Sequence, residues 1–212
     1  MREALRILEA EGLITVRRGK LGGAFVHKPN WSSAAFAIAL SMQGQGITLR
    51  DLGEAILVFE PLCTVSCAER SDRKKTVVPA LEANLAETEK AIGAVARFST
   101  VARRFHDILV DWSPNESTRL LVRSMVAVWD IQEQTWANAV QASGSYPDND
   151  SQVEALKSHK VLTHLIADGN SEGVAKLATA HLKATQKIVL DRFGDRIIDS
   201  SSLAAIQAFK SL

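Results

Sequence analysis

Tyrosine occurs once in the 212 residues, cysteine twice and proline five times, and aromatic side chains make up only 6% of the chain. Two cysteines cannot build a disulfide scaffold. Cys63 and Cys67 stand four apart inside a helical pattern, without the CxxC spacing of metal or redox sites, so they read as small core residues. No apolar run approaches the ~20 residues needed to span a bilayer, and no signal-peptide pattern opens the chain, so the expected location is the cytoplasm, away from membranes. The GxSxG motif of serine hydrolases is missing as well. A formal net charge of +1 neither demands nor excludes a nucleic-acid partner. What is present is 46% hydrophobic content, ample for a buried core.

The charge is unevenly placed. Residues 1–28 carry six basic side chains against three acidic ones, so this end is +3 and the remainder −2. A basic end on a mildly acidic body suits an arm that meets phosphate and a body that does not. The same end has its own local pattern. A helix is expected over about Arg2 to Glu11, with Leu5 and Leu8 inward and Gly12 closing the last turn. Short strands follow at Leu13 to Val16 and Ala24 to Val26, joined by a glycine-rich hairpin over Arg17 to Gly23. The helix starts uncapped, which suggests a natural chain that begins upstream of Met1.

Pro29-Asn30 marks a boundary, giving a small module over 1–29 and a larger domain over 30–212. From Ser32 onward no period-two alternation appears, and helical spacing dominates. Helices are expected over Ser33 to Met42, Leu49 to Arg70, Val77 to Ala94, Val101 to Asp111, Ser117 to Gln141, Asp150 to Asp168 and Asn170 to Phe193, with Asp195 to Leu212 a short helix or a loose tail. Long elements with short connections describe an antiparallel helical bundle. The fold class is therefore mostly α.

Two regions resemble one family, the GntR superfamily of bacterial transcription regulators in its FadR-like branch, whose effector domain is called FCD. The first is Arg2-Glu3-Ala4-Leu5-Arg6, Leu8-Glu9, Glu11-Gly12-Leu13-Ile14, Arg18-Gly19, Gly22-Gly23 and Phe25-Val26, which is similar to the last helix and β-wing of that family's winged helix-turn-helix. The second is the body, at Leu52-Gly53-Glu54-Ala55, Phe59-Glu60-Pro61, Phe105-His106-Asp107 with Asn115, His159 with Ile166 and Asp168, and His181-Leu182. Together they cover about residues 2 to 190. The family's first two winged-helix helices have no counterpart here. Ile56 stands where the family usually has arginine, and Ala102 where metal-binding members have aspartate.

The resemblance implies a ligand-responsive, DNA-binding regulator that acts as a homodimer on paired half-sites. Arg2 matches a family position that contacts DNA, and Arg6 shares its helical face one turn on, where arginine can fork onto guanine or clamp phosphate. Arg17, Arg18 and Lys20 are placed to neutralise phosphates, with Gly22 and Gly23 letting the wing backbone approach the minor groove. In the body, His106, His159 and His181 stand at the family's ligand positions on three helices. Three neutral imidazoles suit Zn, Ni or Mn and leave an open position for a small organic acid. His159 shares an inward face with Leu156, Thr163 and Ile166, and His181 continues a stripe of Val174, Leu177, Ala184 and Ile188. His164 falls on a different face, and Asp107 and Asp111 turn away from that of His106. Ser66, Gln132 and Gln134 would contribute if they line the cavity, with a solvated or core role the expected one for each, and Trp31, Trp112, Trp129 and Trp136 read as packing anchors. Two other functions fit less well. A sensor that has lost DNA binding would keep only the effector domain, and a metal-dependent hydrolase or isomerase would need a general base that no defensible spacing supplies.

Overall fold

The computed structural model describes residues 2–10, 13–17, 19, 22–26, 30–142, 149–202 and 205–206, with only the backbone described at 10 and 134–142. It holds α1 (Arg2–Ala10), β1 (Ile14–Arg17), β2 (Gly23–Val26), α2 (Trp31–Gly44), α3 (Leu49–Glu69), α4 (Val77–Lys90), α5 (Val95–Asp111), α6 (Glu116–Ala142), α7 (Asn149–Asp168) and α8 (Ser171–Phe193). The mostly α fold is a helical bundle behind a small wing. None of its described helices is long and apolar enough to cross a membrane.

β1 and β2 pair antiparallel, with Ile14 opposite Val26 and Arg17 opposite Gly23. Gly19, at φ +118°, accepts from the Gly22 amide at 2.9 Å and turns the chain between them. α1 rests on β1, where the Glu9 carboxylate accepts from the Val16 amide at 2.9 Å. Of the apolar side chains described in this unit only Ile14 is buried. Leu8, expected inward, is exposed, and Leu5 is half-buried, because none of the described residues covers that face of α1.

The bundle is organised on α3. A capping box starts it: Thr48 Oγ1 accepts from the Asp51 amide, and Asp51 accepts from the Thr48 amide at 3.0 Å. Its buried stripe runs Leu49, Leu52, Ile56, Glu60, Cys63, Cys67, so one helix serves two apolar clusters. One cluster joins its first half to α2, α6 and Phe193, and the other joins its second half to α4, α5, α7 and the start of α8. Gly53 lets α6 and α8 close on α3, since a Cβ there would meet the Trp129 ring at 3.0 Å and Gln186 Oε1 at 3.3 Å. Both cysteines are free and buried, and burial pushes their thiols up to about 11 and about 12, which leaves them unreactive.

Three expectations change. α5 begins at Val95, six residues early, because the chain turns at Gly93 (φ +86°), whose amide donates to Gln152 at 3.0 Å, and Phe98 then packs into the interior. The segment after α8 is held down as far as Ser202: Thr48 bridges Ile197, Ile198 is fully buried, and Gln43 accepts from the Ser200 amide at 2.8 Å. The inward stripe of α8 is Val174, Ala178, His181, Leu182, Gln186 and Phe193, while Ala184 faces outward and Ile188, 40% exposed, lies at the rim of a cavity. Packing against α3 along its length with α7 on its flank sets that face.

Candidate metal and effector site

Between the two apolar clusters the helices form a cavity of about 230 Å³, whose rim includes the exposed Ser151 and Ile188. Its walls come from α3 (Ile56, Glu60), α5 (Phe98, Ala102, Arg103, His106), α6 (Trp129, Asp130, Glu133), α7 (His159) and α8 (His181, Gln186). The three histidines meet at one end. His159 Nε2 lies 3.0 Å from His181 Nε2 and 3.3 Å from His106 Nε2, and all three ligand atoms fall within 4.8 Å of one another. Tetrahedral Zn–N bonds of about 2.1 Å place ligand nitrogens roughly 3.4 Å apart, so these spacings suit a single ion.

Protonation and orientation agree with that geometry. Burial, reinforced by the neighbouring imidazoles, holds His159 well below the usual histidine range, and burial takes His181 down to about 3. Both are neutral at pH 7 and offer lone pairs. The Glu60 carboxylate, itself buried, lies 2.6 Å from His106 Nδ1. With Nδ1 donating to Glu60, His106 Nε2 is left free to face its neighbours. Phe105 stacks flat on His159, with centroids 4.0 Å apart and planes 3° apart, and fixes that ring. His159 Nδ1 is buried without a hydrogen-bond partner. The donor set fits a divalent ion with an open position.

No carboxylate joins the cluster from its own helix. Ala102 supplies none, and Asp107 and Asp111 are engaged by Arg123, whose guanidinium also lies 5.0 Å from the centre of the Trp31 ring. His164 is exposed. Ser66 and Gln132 take the structural roles expected of them and do not line the cavity: Ser66 donates to the Cys63 carbonyl at 2.7 Å and meets Ser113, and the buried Gln132 amide is spent on both backbone groups of Asp199 at 2.8 and 2.9 Å. The side chains of Gln134 and Trp136 lie outside the described residues. Trp129 forms part of the cavity wall.

Sequence reasoning missed the polar wall away from the histidines. Arg103 is held between Asp130 and Glu133, reaching Glu133 at 2.6 Å. Burial pushes the Asp130 carboxyl up to about 7, with Glu133, Asp107 and Glu60 adding to the shift and Arg103 opposing it. Burial also works against the charge on Arg103, yet Asp130 and Glu133 hold its pKa above the ordinary value. Asp130 carried a signal, a lone acid between Trp129 and Ile131. Glu60 carried another, an acid in the apolar stripe of α3.

In the wing, Arg2 and Arg6 are exposed on α1, with Arg6 3.7 Å from Glu3. Arg17 ends β1 with its guanidinium 4.9 Å from the centre of the Phe25 ring, and Gly22 and Gly23 are exposed where β2 begins. Arg18, Lys20 and His27 lie outside the described residues.

An all-helical body with a histidine-lined cavity defines a class of ligand-sensing domain. Residues 51–184 match the FCD domain family, and the chain belongs to it. Among solved structures it is similar to the Streptococcus agalactiae GntR protein, at 18% identity and a TM-score of 0.57, over 88% of this chain and 80% of that one. A second structure, titled "Lar controls the expression of the Listeria monocytogenes agr system and mediates virulence", aligns at 14% identity over 90% of this chain and 79% of that one, with a TM-score of 0.49. The first likeness shows a shared fold. No curated protein matches.

Proposed function

We propose that the protein is a ligand-responsive transcription regulator whose helical domain binds a divalent ion on His106, His159 and His181, and a small organic acid beside that ion. The observation that carries this reading is the convergence of three imidazole nitrogens, from three helices, on one cavity. The ion supplies a Lewis-acid position for a carboxylate. Glu60 keeps the Nε2 face of His106 toward the ion, and Phe105 holds the ring of His159.

The DNA-facing residues of this reading are Arg2, Arg6, Arg17, Arg18, Lys20, Gly22 and Gly23. The regulator acts as a homodimer, in keeping with paired half-sites. Val58, Phe59 and Leu62 support this, since they leave an exposed apolar face on α3. Calorimetric titration of metal-stripped protein with Zn or Ni is expected to show one site per chain, lost in His181→Ala. Absence of both heat and bound metal overturns the metal centre. A gel shift with DNA from the protein's own promoter region, at fixed salt, tests the regulator itself. Metal binding without a shift would favour a sensor that does not bind DNA.

A further inference from the structure

We propose that the effector is a zwitterionic amino acid with an apolar side chain, its carboxylate meeting the ion and its ammonium meeting the acidic wall formed by Asp130 and Glu133. The inference rests on the metal-centred reading above and adds the second half of the ligand.

Three observations carry it. The first is the charge of the cavity. Its lining contains three carboxylates, Glu60, Asp130 and Glu133, against one guanidinium, Arg103. Acceptors outnumber donors on this wall, which suits a ligand that brings an ammonium and not one that brings only carboxylates. The second is that the cavity's guanidinium is already spent, because Arg103 is clamped by both Asp130 and Glu133. Each carboxylate keeps further acceptor sites, so this wall offers acceptors and asks for donors. The third is Gln186, which lines the same cavity, is only 6% exposed, and has an Oε1 atom with no hydrogen-bond partner. A buried acceptor left unpaired is costly unless a ligand donor meets it.

Size and the remaining surface narrow the class. A volume of about 230 Å³ lies below the roughly 300–1,000 Å³ of pockets for drug-sized ligands, which suits a small metabolite. Ile56, Phe98, Val126, Trp129, Leu182 and Val189 supply an apolar wall. A carboxylate, an ammonium and a short hydrocarbon side chain satisfy all three kinds of surface at once.

The test titrates the zinc-loaded full-length protein with L-leucine, L-isoleucine, L-valine, L-methionine and L-phenylalanine, each paired with the acid lacking its amino group and with the matching 2-hydroxy acid. At least one amino acid is expected to bind about tenfold or more tightly than both of its partners, the scale of a charge-assisted hydrogen bond. Glu133→Gln is expected to remove that advantage, so that the amino acid and its amine-free partner bind alike, whereas a misfolded variant would bind neither. If the variant fails to fold, the wild-type pairs still decide. Amine-free acids that bind as tightly as the amino acids overturn the proposal and leave the acid-sensing reading standing. No binding by any member of the panel to a protein that holds its zinc overturns both.

Discussion

The wing and the helical body are opposites in where their information lies. The wing's motif is compact in sequence, 25 residues in nearly unbroken order, yet of its described apolar side chains the structure buries only Ile14. The body's matches are short and scattered, yet Glu60, His106, His159, His181 and Leu182 among them meet at one cavity bounded by five helices. Contiguous motifs of this kind are carried by a surface that touches something else, where each position answers to an outside partner. Scattered ones are carried by an interior, where the positions answer to each other.

The largest effect expected from this contrast compares two phenylalanines. Phe105 is fully buried and stacks on His159, whereas Phe25 is 43% exposed on the hairpin. Phe105→Ala is expected to cost about 3–5 kcal/mol in denaturant unfolding, and Phe25→Ala to stay within about 0.5 kcal/mol. Similar costs at the two positions would break the contrast.

Next in size is a pH effect confined to the body. In the metal-free protein His159 and His181 stay neutral far below the unfolded histidine value of about 6.5, so the unfolded state gains two protons that the native state refuses. Asp130 acts in the opposite sense. Its native carboxyl, at about 7, holds a proton that an unfolded aspartate, at about 3.9, has released. The net is one proton more in the unfolded state, so stability falls with pH by about 1.4 kcal/mol per unit below the histidine range, roughly 2 kcal/mol between pH 6 and 4.5. Asp130→Asn removes the opposing group and should about double the loss. His181→Ala removes one of the two histidines and should nearly flatten it. A wild-type protein equally stable at both pH values would show that these groups titrate normally.

Glu60 ranks third. Glu60→Gln keeps the shape but removes the carboxylate against His106 Nδ1, and loss of such a partner typically weakens metal affinity about 10- to 100-fold. Competition with a zinc-sensitive dye measures it, and an unchanged affinity would mean that His106 needs no orienting.

These residues also mark what could be read in advance. Periodicity located every helix from α2 to α8, because each buries a stripe whose spacing survives in the sequence. It misplaced the start of α5, where a turn is fixed by Gln152 from a helix about sixty residues later. The three histidines were legible through resemblance and their inward faces. The Arg103–Asp130–Glu133 wall was not, since a salt bridge between α5 and α6 leaves no periodic trace in either helix. Gln132 takes the core role expected of it, but its partner could not be read in advance, because Asp199 lies in a segment with no regular structure to predict.

The smallest expected effect on stability is at Arg17, and it is the one that tests whether the wing's information points outward. Its guanidinium sits over the Phe25 ring on an exposed hairpin, so Arg17→Ala should change unfolding free energy by no more than about 0.5 kcal/mol. If the side chain neutralises a phosphate, the same substitution lowers the slope of log affinity against log salt by about 1, and it does so on specific and non-specific DNA alike. Ion or effector binding in the body should be untouched, because Arg17 does not line the cavity. A variant that weakened metal binding while leaving the salt slope unchanged would reverse the assignment and tie the wing to the cavity rather than to DNA.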